Sequence, residues 1–235
     1  MNLLLGALSW IGDSANWVGP SGITNRLFQH IGITFTVMVI AIVIAIPLGT
    51  LVGHTRYGRT AVIMVAGGAR AIPTLGLLTL LGLMLGIGLK APVIALIVLA
   101  LPSLLAGAYS GVESVAPSVV DSAKAVGMND WQVITKVEVP LGSPIIVGGI
   151  RAATLQVVAT ATLAAYMADF GLGRYIFSGL KTGDYAQMLA GALLVTFLAL
   201  SFELLLALAQ RLARRFATPA ESVSTKANTS RIGIS

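Results

Sequence analysis

Apolar side chains run almost unbroken over residues 28–52, 61–85, 93–112, 144–167 and 185–208. Each run reaches the roughly 20 residues that an α-helix needs to cross a hydrocarbon core about 30 Å thick. The runs are continuous rather than alternating, which excludes the two-residue period of a membrane β-barrel. Polar positions gather between them: a basic loop at 54–60, a turn at 86–92, a long segment at 113–143 and a glycine-containing loop at 169–184. The pattern predicts an all-α polytopic membrane protein with five spans. Pro47 lies inside the first span, where neighbouring helices can satisfy the freed carbonyl. Gly67, Gly68, Arg70 and Pro73 break the second.

The ends read differently. The first apolar run stops at Gly12-Asp13, too short to span, and lacks the basic start of a secretion signal. Residues 1–27 are expected to be an interfacial lead-in, with Trp10 and Trp17 at headgroup depth. Residues 28–212 form the membrane domain, and 213–235, rich in Ser, Thr, Ala and Asn near its end, is expected to be a disordered tail.

Composition narrows the function classes. The chain is 56% hydrophobic and 10% charged, with a mean hydropathy of +0.90; a soluble domain carries about 25% charged residues. It has no cysteine, which removes disulfides, thiolate chemistry and cysteine-ligated metals. His30 and His54 stand apart at span edges, so neither a metal site nor a nucleophilic triad can be built on them. No glycine-rich phosphate loop ending in Lys-Ser or Lys-Thr occurs, so the chain is not expected to bind ATP or to be an enzyme.

The net charge of +6 lies beside the spans and not in a nucleic-acid-binding patch. One set of flanks carries Arg56, Arg59, Lys124, Lys136, Arg151, Arg211, Arg214, Arg215, Lys226 and Arg231; the other carries Arg26, Lys90, Arg174 and Lys181. The excess of positive charge marks the cytoplasmic side. The 113–143 segment and the C-terminus are therefore expected inside, and the N-terminus outside.

Segment 113–143 is the most informative. Pro117 suits the first turn of a helix, and Gly127 suits the left-handed position that ends one. Asn129 can cap a second helix with Gln132 as its capping-box partner, and Pro140 is expected to end it. Val119, Ala123 and Val126 would make one apolar stripe, while Trp131, Ile134 and Glu138 would share a face of the second helix. Asp121, Lys124, Asp130 and Lys136 would face water or a partner. The result is either an ordinary capped loop on the membrane surface or a rigid hairpin on which another chain docks.

The spacing within this hairpin resembles a motif of the permeases of bacterial ATP-binding-cassette importers. Their pattern is Glu-Ala-Ala, three residues, Gly, nine residues, then Ile-x-Leu-Pro. This chain reads Asp121-Ser122-Ala123, three residues, Gly127, nine residues, then Val137-Glu138-Val139-Pro140. The segments Arg70–Leu78, Gly149–Thr154 and Gly171–Ile176 look like the osmoprotectant subfamily, which takes up glycine betaine, carnitine, choline and related quaternary amines. Amino-acid permeases of the methionine-like branch are the nearest rival. The resemblance implies a five-helix type I permease core with a cytoplasmic two-helix coupling hairpin, in a bacterial cytoplasmic membrane. It also implies a second permease subunit (the same chain or another), two cytoplasmic ATPase subunits that bind ATP and magnesium, and an extracytoplasmic substrate-binding protein. By the same resemblance, Asp121, Ser122, Ala123, Gly127, Val137, Val139 and Pro140 would couple the permease to the ATPase.

Intramembrane polar groups come next. A charge within a span is costly and is kept for a reason. Arg70 has three readings: snorkelling toward the cytoplasm, gating a cationic cargo, or pairing with Glu203. Arg151 lies nearer the cytoplasmic end and is expected to snorkel. Pro73 belongs to the same structural set. Gly82 with Gly86, and Gly107 with Gly111, have the four-residue spacing of close helix packing. Tyr109, Thr160, Thr162 and Tyr166 are candidate pathway residues. The aromatics near the outer edge suit either an interfacial belt or a cage for a quaternary ammonium group. A stand-alone secondary transporter would be expected to show paired intramembrane acids or an inverted repeat. Glu203 is the one acid deep in a span, and no repeat is visible.

Overall fold

The computed structural model describes residues 2–69 and 71–217. Arg70 and the 218–235 tail, for both of which the sequence raises expectations, lie outside the described residues. Among the described residues every regular element is helical. Three unbroken helices are long and apolar enough to cross a membrane: α2 (Ile23–Thr55), α5 (Lys90–Glu113) and α11 (Tyr185–Ala217); the fourth crossing is the continuous stretch Asp130–Ala168. The second predicted span is two short helices, α3 (Arg59–Ala69) and α4 (Thr74–Leu85), both lying along α5. Pro73 stands at the start of α4 in an extended conformation, so the helical ladder restarts after it.

The core is built where α5 lies between α2 and α8 (Val139–Thr160). Glycine lets these helices approach closely. A Cβ on Gly107 would lie 2.7 Å from the Gly149 Cα, and one on Gly53 would lie 2.8 Å from the Val112 Cβ. Gly111 and Gly142 make the same kind of contact one turn along. Gly107 and Gly111 thus pack as their spacing suggests. Gly82 packs against Met167, but Gly86 has open space and a positive φ of 82°, so it serves the turn instead. Val37, Ala41, Leu104, Ala153 and Val157 fill the centre.

Three sequence expectations need correcting. The 169–184 loop contains a helix, α10 (Gly173–Thr182), with Tyr175 and Gly179 buried and Arg174 and Lys181 exposed. Gly173 and Gly179, within the expected loop, are packing positions: Gly173 lies against the Thr162 backbone, and Gly179 leaves room for Met188, as Gly191 does for Tyr175. The fifth span continues to Ala217, with Arg214 and Arg215 in a last turn that favours cations. Pro140 does not end its helix. A wide turn over Ile134–Glu138, closed by Val139 N–H donating to the Ile134 carbonyl, carries the chain straight into α8. A five-residue turn disturbs the regular i→i−4 ladder where Pro140 has no N–H to give. The short helix α1 (Asn2–Gly12) lies against α11, with Ala7 fully buried.

Candidate functional site

The hairpin between α5 and α8 is built from short-range chemistry. Helix α6 (Pro117–Ala125) begins with Pro117, whose missing N–H costs nothing in the first turn. It ends on Gly127 at φ 90°, with Gly127 N–H donating to Lys124 O at 2.9 Å and Met128 N–H donating to Ala123 O at 3.2 Å. That pair of hydrogen bonds across a left-handed glycine is a Schellman cap. Nothing lies within 4 Å of where a Gly127 Cβ would be. The glycine is required by its backbone angle, and the space beside it is open. Helix α7 (Asp130–Val133) starts from a full capping box: Gln132 N–H donates to Asn129 Oδ1 at 2.9 Å, and Asn129 N–H donates to Gln132 Oε1 at 3.0 Å.

The wide turn changes which side chains share a face. Trp131 is 73% exposed whereas Glu138 is 4% exposed, so the expected Trp131–Ile134–Glu138 face does not form. One residue added to a turn rotates everything after it by about 100°, the angle per residue of a 3.6-residue helix. The α6 stripe also divides, with Ala123 buried and Val126 77% exposed. The hairpin therefore presents Asp121, Ser122, Val126, Gly127 and Trp131 outward, while Val137 and Val139 are half-buried and Pro140 is exposed. Lys124 and Asp130, expected to face water or a partner, are both exposed and pair with each other at 3.0 Å. The hydrogen bond and charge of Asp130 hold the Lys124 ammonium above its usual range, and Lys124 holds the Asp130 carboxyl below its own.

The structure also gives His54 partners. Its Nδ1 lies 2.7 Å from Glu138 Oε2 and its Nε2 lies 3.5 Å from Asp130 Oδ1. No local pattern marks this contact, because the partners are 84 residues apart.

Arg151 does not snorkel: its guanidinium grips both carboxylate oxygens of Glu203 and donates to Gln210 Oε1 at 2.9 Å. Glu203 thus has Arg151 as its partner, the role the sequence offered to Arg70. The candidate pathway residues fall in two places. Tyr109 is buried on α5, beside a cavity of about 300 Å³ lined by Val62, Ala66 and Ser110. Thr160 at the end of α8, Thr162 after it and Tyr166 on the short helix α9 (Ala164–Ala168) lie at the opposite end of the continuous stretch from the hairpin. Tyr166 meets Phe177 with ring centroids 5.7 Å apart, and both line an open cavity of about 670 Å³ with Arg174 and Lys181.

The same end carries a second cluster. Arg26, buried at the start of α2, pairs with Asp169 Oδ1 at 3.1 Å and donates to the Asp169 carbonyl. Gln29 Oε1 accepts from Gly171 N–H at 3.0 Å, and a His30 ring nitrogen meets Val158 O at 3.0 Å. The Arg26 and Gln29 contacts strap the 169–171 segment to α2, and the His30 contact ties α2 to α8. Among the described residues no three His, Asp or Glu side chains are placed to hold a metal ion.

Comparison with known proteins places this arrangement in context. Residues 41–217 match the family described as "Binding-protein-dependent transport system inner membrane component". A glycine betaine/carnitine/choline transport system permease protein of Bacillus subtilis (strain 168) is 34% identical over 183 residues, covering 78% of this chain and 84% of that protein. A choline transport system permease protein of the same strain is 31% identical, covering 79% and 86%. A carnitine transport permease protein of Listeria monocytogenes is 35% identical, covering 76% and 82%. In fold, the chain is similar to the MetNI methionine ABC transporter solved in an inward-facing conformation, with a TM-score of 0.71 at 20% identity, over 81% of this chain and 95% of that one.

Proposed function

This chain belongs to the family of binding-protein-dependent transport system inner membrane components, and from that premise we propose which cargo it moves and how it is driven. It is a multi-pass membrane permease subunit of an ATP-binding-cassette importer. The cargo is a quaternary-amine osmoprotectant of the glycine betaine, carnitine or choline type. The observation that carries this is the identity of 31–35% over about three quarters of the chain to permeases named for those compounds. The likeness to a methionine transporter, at 20% identity, supports the fold alone.

ATP is hydrolysed in two partner subunits with magnesium, and the hairpin of Asp121, Ser122, Ala123, Gly127, Val137, Val139 and Pro140 seats them. Exposed Val126 and Trp131, a capped and therefore stiff backbone, and open space beside Gly127 support this reading. A second permease subunit and an extracytoplasmic binding protein complete the transporter. The hairpin is cytoplasmic and the Arg26–Asp169 end is extracytoplasmic. Taking Arg151 out of the cytoplasmic tally, because it pairs inside the helix layer, leaves the charge bias pointing the same way. Tyr166 and Phe177, with Arg174 and Lys181 beside them, would meet the quaternary ammonium group that these cargoes share as the cargo leaves the binding protein.

Reconstitution with the cognate ATPase and binding protein tests the reading. ATP-dependent uptake of labelled glycine betaine, carnitine or choline is expected, with methionine not transported. Uptake of methionine alone, or of any cargo without ATP, would overturn it. Gly127→Leu is expected to abolish uptake by filling the open space and straining the cap.

A further inference from the structure

We propose that His54 is a positioning residue that fastens the coupling hairpin to the first membrane helix, so that motion of the hairpin reaches α2 as well as α8. The inference rests on the reading that the hairpin seats the ATPase.

The hairpin is joined to α8 by the chain itself, through the wide turn Ile134–Glu138. Wide turns of this kind are uncommon and recur at functional sites. Nothing covalent joins the hairpin to α2. His54, in the last turn of α2, supplies that joint. One ring nitrogen meets Glu138, the last residue of the wide turn, and the other meets Asp130, the first residue of α7. Asp130 in turn holds Lys124 of α6 at 3.0 Å. One imidazole thus touches the wide turn and α7 directly and α6 through one carboxylate.

Burial argues that the joint is firm. The His54 and Glu138 side chains are 9% and 6% exposed, whereas Asp130 is 71% exposed. An exposed ion pair contributes little, but a carboxylate taken out of water needs its partner. Glu138 is therefore held by His54 more firmly than Asp130 is. The next layer up is rigid as well: α2 lies against α5 through Gly49 and Gly53, and α5 lies against α8 through Gly107 and Gly149. With the strap in place, α2, α5 and α8 receive the hairpin's displacement together. Without it, the hairpin can turn about its glycine cap and wide turn while α2 stays behind.

The test is the number of cargo molecules taken up per ATP hydrolysed, in the reconstituted full transporter. His54→Ala is expected to lower that ratio about tenfold, inside the roughly 5–150-fold range of coupling between sites. The amount of ATPase that co-purifies should be unchanged. An unchanged ratio in the assembled complex overturns the proposal. If His54→Ala does not assemble, the pair His54→Cys with Glu138→Cys decides the matter, because the chain has no native cysteine. In an otherwise cysteine-free complex, a short thiol-to-thiol bridge is expected to restore the ratio that the unbridged pair loses. A bridged complex that stays uncoupled overturns the strap. Gly127→Leu separates the two levels. If it uncouples while His54→Ala does not, only the strap falls; if neither uncouples, the hairpin reading falls with it.

Discussion

Arg151 on α8 and Glu203 on α11 meet as a two-pronged ion pair, with Arg151 Nε 2.8 Å from Glu203 Oε2 and a second guanidinium nitrogen on the other oxygen. Gln210 accepts from the same guanidinium and donates to the Pro144 carbonyl at 3.0 Å, so the pair is held inside a small network between two apolar helices. A charge left alone in such surroundings is costly, whereas removing both partners is tolerated. Arg151→Leu and Glu203→Leu are each expected to lower the thermal midpoint of the purified permease. The double variant should recover most of the loss. With both side chains about a third exposed, each single loss is expected to be modest, smaller than for a pair sealed from water. A double-mutant cycle read by thermal unfolding in detergent checks it, and additive losses would refute it.

The packing of α5 on α8 depends on Gly107 and Gly149 at one crossing. The atom that a new Cβ would strike is backbone, so neither helix can yield by turning a side chain. Gly107→Val is expected to separate the helices and destabilise the fold by at least the 1–3 kcal/mol typical of overpacking. Gly67→Ala on α3 is the control, because nothing lies within 4 Å of its Cβ position. Thermal unfolding of the two variants side by side measures the difference, and equal midpoints would refute the argument.

What the sequence disclosed was local, and what it concealed was distant. Run length marked the membrane helices because an apolar stretch in lipid must bond its own backbone. The caps at Pro117, Gly127 and Asn129 were legible because each is settled within a few residues. Pro140 misled because a proline usually ends a helix, and the compensating wide turn depends on the fold around Ile134–Glu138. Glycines in 171–183 suggested a loop, since a glycine that packs and a glycine that turns are the same letter. Only Gly171 and Gly183 there have positive φ. The polar contacts were hidden for a simpler reason: Arg26 finds Asp169 143 residues away, and Arg151 finds Glu203 52 residues away. No periodicity selects those partners from the other charges.

At the opposite end from the hairpin, the strap on 169–171 predicts a local opening rather than global unfolding. Asp169 sits at φ 46°, a region that aspartate and asparagine tolerate better than branched residues. Gly171 sits at φ 75°, and a Cβ there would be 3.2 Å from His30 Nδ1. Gly171→Ala is therefore expected to loosen the strap, since the left-handed angle alone costs about 1–2 kcal/mol for an L residue. Asp169→Asn should keep the backbone and lose only the ion pairs to Arg26 and Arg174. Trypsin cleavage after Arg174 reports the opening, and its rate should rise more for Gly171→Ala than for Asp169→Asn. The reverse order would show that charge and not backbone angle holds the segment.

The Lys124–Asp130 pair sets a pH window for the hairpin. Asp130 has a folded-state pKa below its ordinary 3.8, chiefly through its hydrogen bond to Lys124. Its stabilising contribution is therefore full above 3.8 and is lost as pH falls through the depressed value. Lys124 is raised above 10.5, so its contribution is full below that and is lost only as pH climbs through the raised value. Asp130 also meets His54 Nε2 at 3.5 Å, and His54 in turn holds Glu138, so comparison with Asp130→Asn reads both of the Asp130 partners together. Trp131, next in sequence and exposed, reports local unfolding once Trp10 and Trp17 are replaced by Phe. The urea midpoint of its emission is expected to be higher in the parent than in Asp130→Asn at neutral pH. That gap should close as the solution is acidified below 3.8 and should not close on the alkaline side until beyond 10.5. A gap that stayed constant into strong acid would mean that the pair does not brace the hairpin.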